Sequence, residues 1–307
     1  MMRNVVDFLR ENDNYVILTH CRPDGDTVGS AAALCRGLRS LGKTVSVLEN
    51  PEITPKYAPL LEGLTCDCMA GASVIAVDVA SPGMLPVNGK DARVDLRIDH
   101  HGSATSFARI EWVEPDTAAC GELVYDLLMA LDVTLDRPMA EAVYTAVATD
   151  TGCFRYANTR SHTLQVAAAC AQVSDGLFRI NQALFDTNTL GRLRIQGWMV
   201  ENAVFLREGK VCICAIPRQV EQDLGIVEDD MENISGFPRS IEGVCLAATL
   251  REKDGVVKVS VRAVPGWDAA QVCEKFGGGG HKGAAGCSIS EPLDVAVKML
   301  TQVLNEE

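Results

Sequence analysis

Carboxylates and histidines gather in four short clusters in the first half of this chain. They are His20-Cys21-Arg22-Pro23-Asp24-Gly25-Asp26, Asp78 in SVIAVDVA, Asp99-His100-His101 closing the run ARVDLRID, and Asp150 in YTAVATDTG. Together they offer enough oxygen and imidazole donors for two divalent cations, and two such ions side by side are a means of hydrolysing phosphate esters. Oxygen-rich donor sets with some imidazole favour manganese, with magnesium second; an all-cysteine or all-histidine set would mean zinc. Taken singly, each cluster has an ordinary reading. Asp24 suits a helix N-cap, Gly25 and Pro23 suit a turn, and Asp78 suits a strand end. Asp150 at a helix C-terminus is less ordinary, because its charge opposes the helix dipole there. Four of the five histidines fall in these clusters or in a glycine segment near the C-terminus, and only His162 lies outside.

Such residues must be carried by elements that bring them together. NYVILTH, KTVSVLE, SVIAVDV and RVDLRID read as strands. TVGSAAALCRGLRSLG, Cys120–Leu131 and Arg137–Thr149 read as helices between and after them. This alternation predicts an α/β fold with a mostly parallel sheet and helices on both faces. Ligands in such sheets bind beyond the carboxyl ends of the strands, where His20, Asp78 and Asp99-His100 fall. A helical connector is expected from about Phe185 to Asn202. Beyond it AVFLREGKVCICAIP, GVCLAATLREKDGVVKVSVRAV and AAGCSIS read as antiparallel strands, and AAQVCEKF and LDVAVKMLTQVLN as helices. The expected division is a catalytic domain over residues 1–186, a connector over 187–202 and a smaller α+β domain over 203–307. The cluster Glu228-Asp229-Asp230 with Glu232 reads as a solvated helix end.

Composition narrows the function. The chain has 307 residues and a formal net charge of −13, which disfavours binding along a long nucleic-acid backbone. No run approaches the roughly 20 apolar residues of a membrane helix. The start, MMRNVVDFLRENDNYV, is charged throughout and lacks the apolar stretch of a signal peptide. Twelve cysteines without repeated spacing fit reduced thiols, so a cytoplasmic location is expected.

The segment FGGGGHKGAAG, Phe276 to Gly286, contains a formal G-x-G-x-x-G. A helix is expected before it and a strand after it, the reverse of the dinucleotide-binding order. It is no Walker A loop, because Gly283 follows Lys282 where Ser or Thr should stand. Consecutive glycines let backbone N–H groups approach a phosphate closely.

In their order and spacing, THCRPDGD, AVDVAS, IDHH and TDTGCFRY, followed by FPRSIEGVCLAATLRE, VSVRA and GGGGHKGAAG, resemble the DHH–DHHA1 phosphoesterases. The likeness is to the nano-RNase/pAp phosphatase group related to RecJ-type exonucleases, and it covers nearly the whole chain. It implies that His20 and Asp24 bind one metal and Asp26, His100 and Asp150 the other, with Asp78 bridging. It implies that Asp99 holds a histidine in its tautomer and that His101 contacts the scissile phosphate. It implies that Arg262, Gly279, Gly280 and His281 hold the far phosphate or nucleoside. Phe154, Arg155, Tyr156 and Asn158 resemble the family's substrate-side loop. The implied cofactors are two divalent ions, manganese or magnesium. The implied partner is short single-stranded RNA or a small nucleotide such as pAp, pGpG or pApA, with neither membrane nor long duplex nucleic acid. Two alternatives stand beside this: a phosphatase for pyrophosphate, polyphosphate or another small ester, and a non-catalytic nucleotide-binding protein.

Overall fold

The computed structural model describes every residue except Ser103, Ala104, Glu232, Asp254 and Glu307. The chain divides into two compact units, Met1–Thr187 and Asn188–Glu307.

The first unit is built on six parallel strands: β1 (Tyr15–Leu18), β2 (Val45–Leu48), β3 (Thr65–Cys66), β4 (Ser73–Val77), β5 (Leu96–Asp99) and β6 (Ile110–Val113). Their spatial order is β3-β2-β1-β4-β5-β6. The chain leaves β1 toward one edge and returns to β4 on the other side of β1. The strand order therefore reverses between β1 and β4, which is where open α/β sheets form their ligand crevice. Four of the strands were legible as apolar runs, and the short β3 and β6 were not. On one face Tyr15, Ile17, Val47, Ile75, Val77, Leu96 and Ile98 pack against α1 (Met2–Glu11), α2 (Gly25–Ser40), α3 (Cys120–Ala130), α4 (Arg137–Asp150) and α5 (Ser161–Val173). The alternate residues Val16, Leu18, Val74 and Ala76 pack under Leu85, Val94, Met84 and Phe107. That second face is covered by a single 3-10 turn and irregular chain where the sequence suggested helices. The β4-to-β5 crossover spends its residues on this cover. The unit ends in α6 (Leu177–Asn181), which runs on as one π-helical turn, Gln182–Asp186.

The second unit starts with α7 (Leu190–Glu201), whose N-cap Thr189 accepts a hydrogen bond from the Arg192 N–H. Thr187 is extended, so the helix is shorter than the expected connector. Ile195 and Met199 of α7 are buried with Cys212, Cys214 and Ile216, so this helix is part of the second unit's core. The sheet follows the order β11-β12-β10-β9-β8-β7. Its strands are β7 (Val204–Leu206), β8 (Val211–Ile216), β9 (Leu246–Lys253), β10 (Val256–Ala263), β11 (Gly279–His281) and β12 (Ala284–Ile289). The expected all-antiparallel arrangement fails at one pair: β8 and β9 are parallel. A parallel pair needs a long crossover. Residues 217–245 supply it, carrying α8 (Arg218–Asp223) and two 3-10 turns. The supposed solvated helix end lies in this crossover. There Glu228 pairs with Arg251 at 2.9 Å, and Asp230 is buried, accepting from Thr189 and the Val227 N–H. Glu232 lies outside the described residues. The other face of the sheet packs on α9 (Ala269–Glu274) and α10 (Leu293–Glu306).

Helices α2 and α4 cross closely because Gly29 has no side chain. A Cβ there would lie 2.4 Å from the Ala142 carbonyl oxygen and 2.9 Å from the Ala146 nitrogen. Gly29→Ala should therefore destabilise the protein by ~1–3 kcal/mol despite alanine's better helix propensity. Urea unfolding monitored by circular dichroism checks this. An unchanged midpoint would mean that the helices can separate freely.

Candidate metal centre

The four clusters converge at the carboxyl ends of β1, β4 and β5. Asp78 follows β4 in a left-handed backbone conformation, φ +60°, which turns its carboxylate away from the strand line. Its N–H still donates to the Ile98 carbonyl, extending the ladder by one bond. One carboxylate oxygen, Oδ2, lies 3.5 Å from His20 Nε2. The other, Oδ1, lies 3.4 Å from His100 Nε2. The two oxygens thus face two donor groups: His20 with Asp24, and Asp26 with His100 and Asp150. In each group one donor atom per residue falls within 4.8 Å of the others. A third overlapping group joins Asp78, His100 and His101.

The local chemistry of these residues fits divalent cations. Asp78 Oδ1 is buried and lacks a hydrogen-bond partner among the described residues. Such an orphaned acceptor is costly without a cation or water. His20 Nδ1 donates to the Cys21 carbonyl at 2.7 Å, and His100 Nδ1 faces the Thr117 carbonyl at 3.3 Å. A carbonyl can only accept, so in the neutral rings the proton sits on Nδ1 and the Nε2 lone pair faces the carboxylates. Asp24 serves as a helix cap as well: its Oδ1 accepts from the N–H groups of Asp26 and Thr27 at the start of α2. Asp26 is fully buried and accepts from the Cys120 and Gly121 N–H groups at the start of α3, and from the Ser30 hydroxyl. The helix N-terminus and that hydroxyl fix its orientation.

Electrostatics drive the same arrangement. Burial, with the charges of Asp78 and Asp150, pushes the Asp26 carboxyl well above the usual range. Burial also raises Asp150, only partly opposed by its hydrogen bond to His100. Burial alone would lower the histidines, yet the facing carboxylates prevail. Asp24 and Asp78 bring His20 to about 11, and Asp150, Asp78 and Asp26 bring His100 to about 12. Without metal, protons on these rings balance the carboxylates.

Asp99 lies on β5 with its carboxylate buried, and His101 Nδ1 donates to its Oδ1 at 2.7 Å. His101 Nε2 has no hydrogen-bond partner among the described residues, on a partly exposed ring. Some supporting residues were missed from sequence. Arg97, two residues before Asp99 on the same strand face, is one of the largest fully buried side chains. Its Nε lies 2.8 Å from Glu111 and 4.0 Å from Asp99 Oδ2, and its Nη1 donates to the Thr105 carbonyl. Thr27 donates its hydroxyl to the Val77 carbonyl and accepts from the His20 N–H, tying the ends of β1 and β4 together. A charge within the apolar run LRID was the one available sign of Arg97; nothing marked Thr27.

The loop after Asp150 is strained. Gly152, Cys153 and Phe154 have φ of +55°, +57° and +62° in succession. Left-handed residues other than glycine cost ~1–2 kcal/mol each. Thr151 holds this turn, its carbonyl accepting from the Arg155 and Tyr156 N–H groups and its hydroxyl from the Phe154 N–H. Asn158 Nδ2 is committed to the Ala118 and Asp150 carbonyls, so this side chain braces the end of α4. Tyr156 is exposed with its ring over Gly152, and Arg155 Nε donates to the Gly152 carbonyl.

In the second unit, strand pairing aligns Arg262 of β10 with Ala284 of β12, and Ala284 with His281 of β11. Arg262 and His281 therefore share one rung and one face, two strand spacings or about 10 Å apart, with a small residue between. Arg262 is half-buried, has no carboxylate partner among the described residues, and is lowered by that burial. The glycine segment forms an edge strand, so part of its backbone N–H groups face outward. A Cβ on Gly280, at φ +147°, would strike the Ala284 oxygen at 2.6 Å, whereas Gly279 faces open space.

Metal binding should release protons, because His20 and His100 are charged in the metal-free protein at neutral pH and must become neutral to ligate. The folded-state pKa of each is raised, so protonation persists through neutral pH, and affinity should fall as pH drops from 8 to 6. Calorimetric titration with manganese in two buffers of different ionisation enthalpy checks this. Identical heats in both buffers would show that no proton leaves.

Residues 14–147 match the DHH family, N-terminal domain, and residues 208–306 match the DHHA1 domain. Over its full length the chain is 32% identical to the bifunctional oligoribonuclease and PAP phosphatase NrnA of Thermus thermophilus, covering 94% of that protein. It is 25% identical to the protein of the same name from Bacillus subtilis, over 90% of each chain. Among solved structures, an exopolyphosphatase-related protein from Bacteroides fragilis shares the fold, aligning over 99% of this chain and 95% of its own with a TM-score of 0.86 at 24% identity. With both domains matched in order and a relative this similar along the entire chain, the protein belongs to the DHH family in its DHH–DHHA1 form.

Proposed function

We propose that the protein is a phosphoesterase that uses two divalent ions, manganese by preference, to hydrolyse short oligoribonucleotides and small nucleotides such as pAp or linear dinucleotides to mononucleotides. The observation that carries this reading is the Asp78 carboxylate, whose two oxygens face two separate His/Asp groups. Its relatives named oligoribonuclease and PAP phosphatase give the substrate class. We assign residues 1–186 to catalysis, 187–202 to the connection and 203–307 to substrate binding, and place the protein in the cytoplasm.

In this reading His20 and Asp24 hold one ion, Asp26, His100 and Asp150 the other, and Asp78 touches both. When bound, the ions supply Lewis-acid polarisation of the phosphate and a nucleophile active near neutral pH. The chain's own residues do the rest. Asp99, whose hydrogen bond to His101 is the chief cause of the latter's raised pKa, favours the imidazolium. His101 Nε2–H is then free to donate to a phosphate oxygen as charge develops there. Arg97 keeps Asp99 anionic from behind. Arg262, Gly279, Gly280 and His281 bind the nucleotide through guanidinium, imidazole and outward N–H groups, and Arg155, Tyr156 and Asn158 form or brace the substrate-side loop.

Two outcomes test this. Chelation should abolish activity and manganese should restore it better than zinc. Catalytic efficiency should then fall as RNA lengthens from two to ten or more nucleotides, since the acidic surface repels further phosphates within ~8–10 Å. Efficiency that rises with length would favour an exonuclease for long strands, and turnover of pyrophosphate alone would favour an inorganic phosphatase. Separately, His101→Ala should lower kcat by ~100-fold or more with KM little changed. Arg262→Ala and His281→Ala should mainly raise KM and leave bound metal unchanged. Loss of metal in the His281 variant would remove that residue from substrate binding.

A further inference from the structure

Two cysteines meet behind the glycine strand. Cys273 lies near the end of α9 and is buried, and Cys287 lies on β12 and is partly exposed. Along β12, Ala285, Cys287 and Ile289 alternate with Ala284, Gly286 and Ser288. Cys287 therefore faces the core shared with α9, and not the face of Arg262 and His281. The Cys273 thiol donates a hydrogen bond to the Cys287 sulfur. That bond raises the pKa of Cys273 and lowers that of Cys287, so the more accessible thiol is also the more readily ionised one. The glycine segment passes between them. The Cys273 carbonyl accepts from the Phe276 and Gly278 N–H groups, both at 3.0 Å. A Cβ on Gly278 would lie 2.4 Å from the Cys287 Cβ, so only glycine lets the backbone come this close. At its other end the segment is tied to the start of α9, where the Lys282 carbonyl accepts from the Ala269 N–H at 2.7 Å. Cys212 and Cys214 are a different case: they are neighbours on one strand, 4.0 Å apart, and both are closed off from solvent.

We propose that Cys287 and Cys273 are a thiol modification site: a peroxide joins them in a reversible disulfide, which fixes the glycine strand and weakens nucleotide binding. The Cys287 thiolate attacks one oxygen of hydrogen peroxide and the O–O bond breaks. Cys287 becomes a sulfenic acid, and the departing hydroxide takes up a proton and leaves as water. The Cys273 sulfur then attacks the Cys287 sulfur and displaces the remaining oxygen as a second water. The two thiols give up two electrons and two protons, and the peroxide accepts both. Transient disulfides of this sensing kind are the ones found where the surroundings are reducing. A disulfide draws the sulfurs to ~2.0 Å. It joins α9 to β12 directly across Gly278, so β11 can no longer shift against them as a ligand seats. The effect on binding, unlike the disulfide itself, rests on the reading of the glycine strand as a nucleotide-binding edge.

Treatment of the reduced full chain with equimolar hydrogen peroxide, followed by mass spectrometry of unreduced tryptic peptides, tests the disulfide. Trypsin separates the two cysteines at Lys275 and Lys282. The first cross-link formed should join Cys273 to Cys287, and dithiothreitol should undo it. Cys287→Ser and Cys273→Ala should each abolish it with an unchanged circular dichroism spectrum. After catalase has removed the peroxide, AMP is titrated calorimetrically into the manganese-loaded protein. Oxidation should weaken AMP binding about fivefold or more in the wild type and leave the Cys287→Ser variant unaffected. A first cross-link between any other pair, or Cys287 taken to the sulfinic acid while Cys273 stays a thiol, would overturn the disulfide. Equal AMP affinity before and after oxidation would overturn its effect on binding. No AMP binding even by the reduced protein would overturn the nucleotide reading of the glycine strand, and the claimed effect with it, while the peptide masses judge the disulfide independently.

Discussion

Mutual repulsion among buried carboxylates is the constraint on which the first unit depends. Asp26, Asp78 and Asp99 are almost wholly removed from water, and Asp24 and Asp150 lie beside them. Isolated buried charges cost several kcal/mol each, so the fold must supply positive charge or give up the arrangement. It answers locally in three ways. Helix N-termini donate to Asp24 and Asp26, Arg97 stands behind Asp99, and His20 and His100 stand opposite the carboxylates that divalent ions would otherwise neutralise. The sheet topology serves this end, because only where the strand order reverses can the ends of β1 and β4 lie side by side with room above them.

Much of this was legible because the metal-ligating residue types are rare and cluster where strands end. The apolar runs around His20, Asp78 and Asp99 announced strands, and an aspartate at the end of α4 announced a cost that something must offset. What stayed hidden were groups whose role arises only from packing. Thr27 looks like any residue in the first turn of a helix until β1 and β4 are seen to meet beneath it. Arg97 looks like an outward residue of a half-exposed strand, since burial of an arginine depends on a glutamate fourteen residues away. The parallel β8–β9 pair escaped because strand direction is set by crossover length, and α8 with its 3-10 turns is too short to leave a strong periodic signal.

The second unit shows the same division. The glycine run reads from sequence as backbone open to a phosphate, but its conformation as an edge strand follows from pairing with β12. That pairing sets His281 across from Ala284 and so in line with Arg262, an alignment that no sequence spacing reveals. The acidic stretch at 228–230 was misread at one residue for a related reason: Glu228 and Asp229 face solvent as their charge suggests, whereas the hydroxyl of Thr189 before α7 draws the Asp230 carboxylate inward.

The two donor groups beside Asp78 differ in their access to water. Asp26 is sealed, its side chain 0% exposed and anchored to α3, whereas the Asp24 side chain is 50% exposed. An ion held through Asp26 must break a buried, pre-oriented contact to leave. One held through Asp24 has solvent at its side from the outset. If each group holds an ion as proposed, the two positions would be unequal in residence time, and the His20–Asp24 position would be the one at which cations from the surrounding solution exchange first.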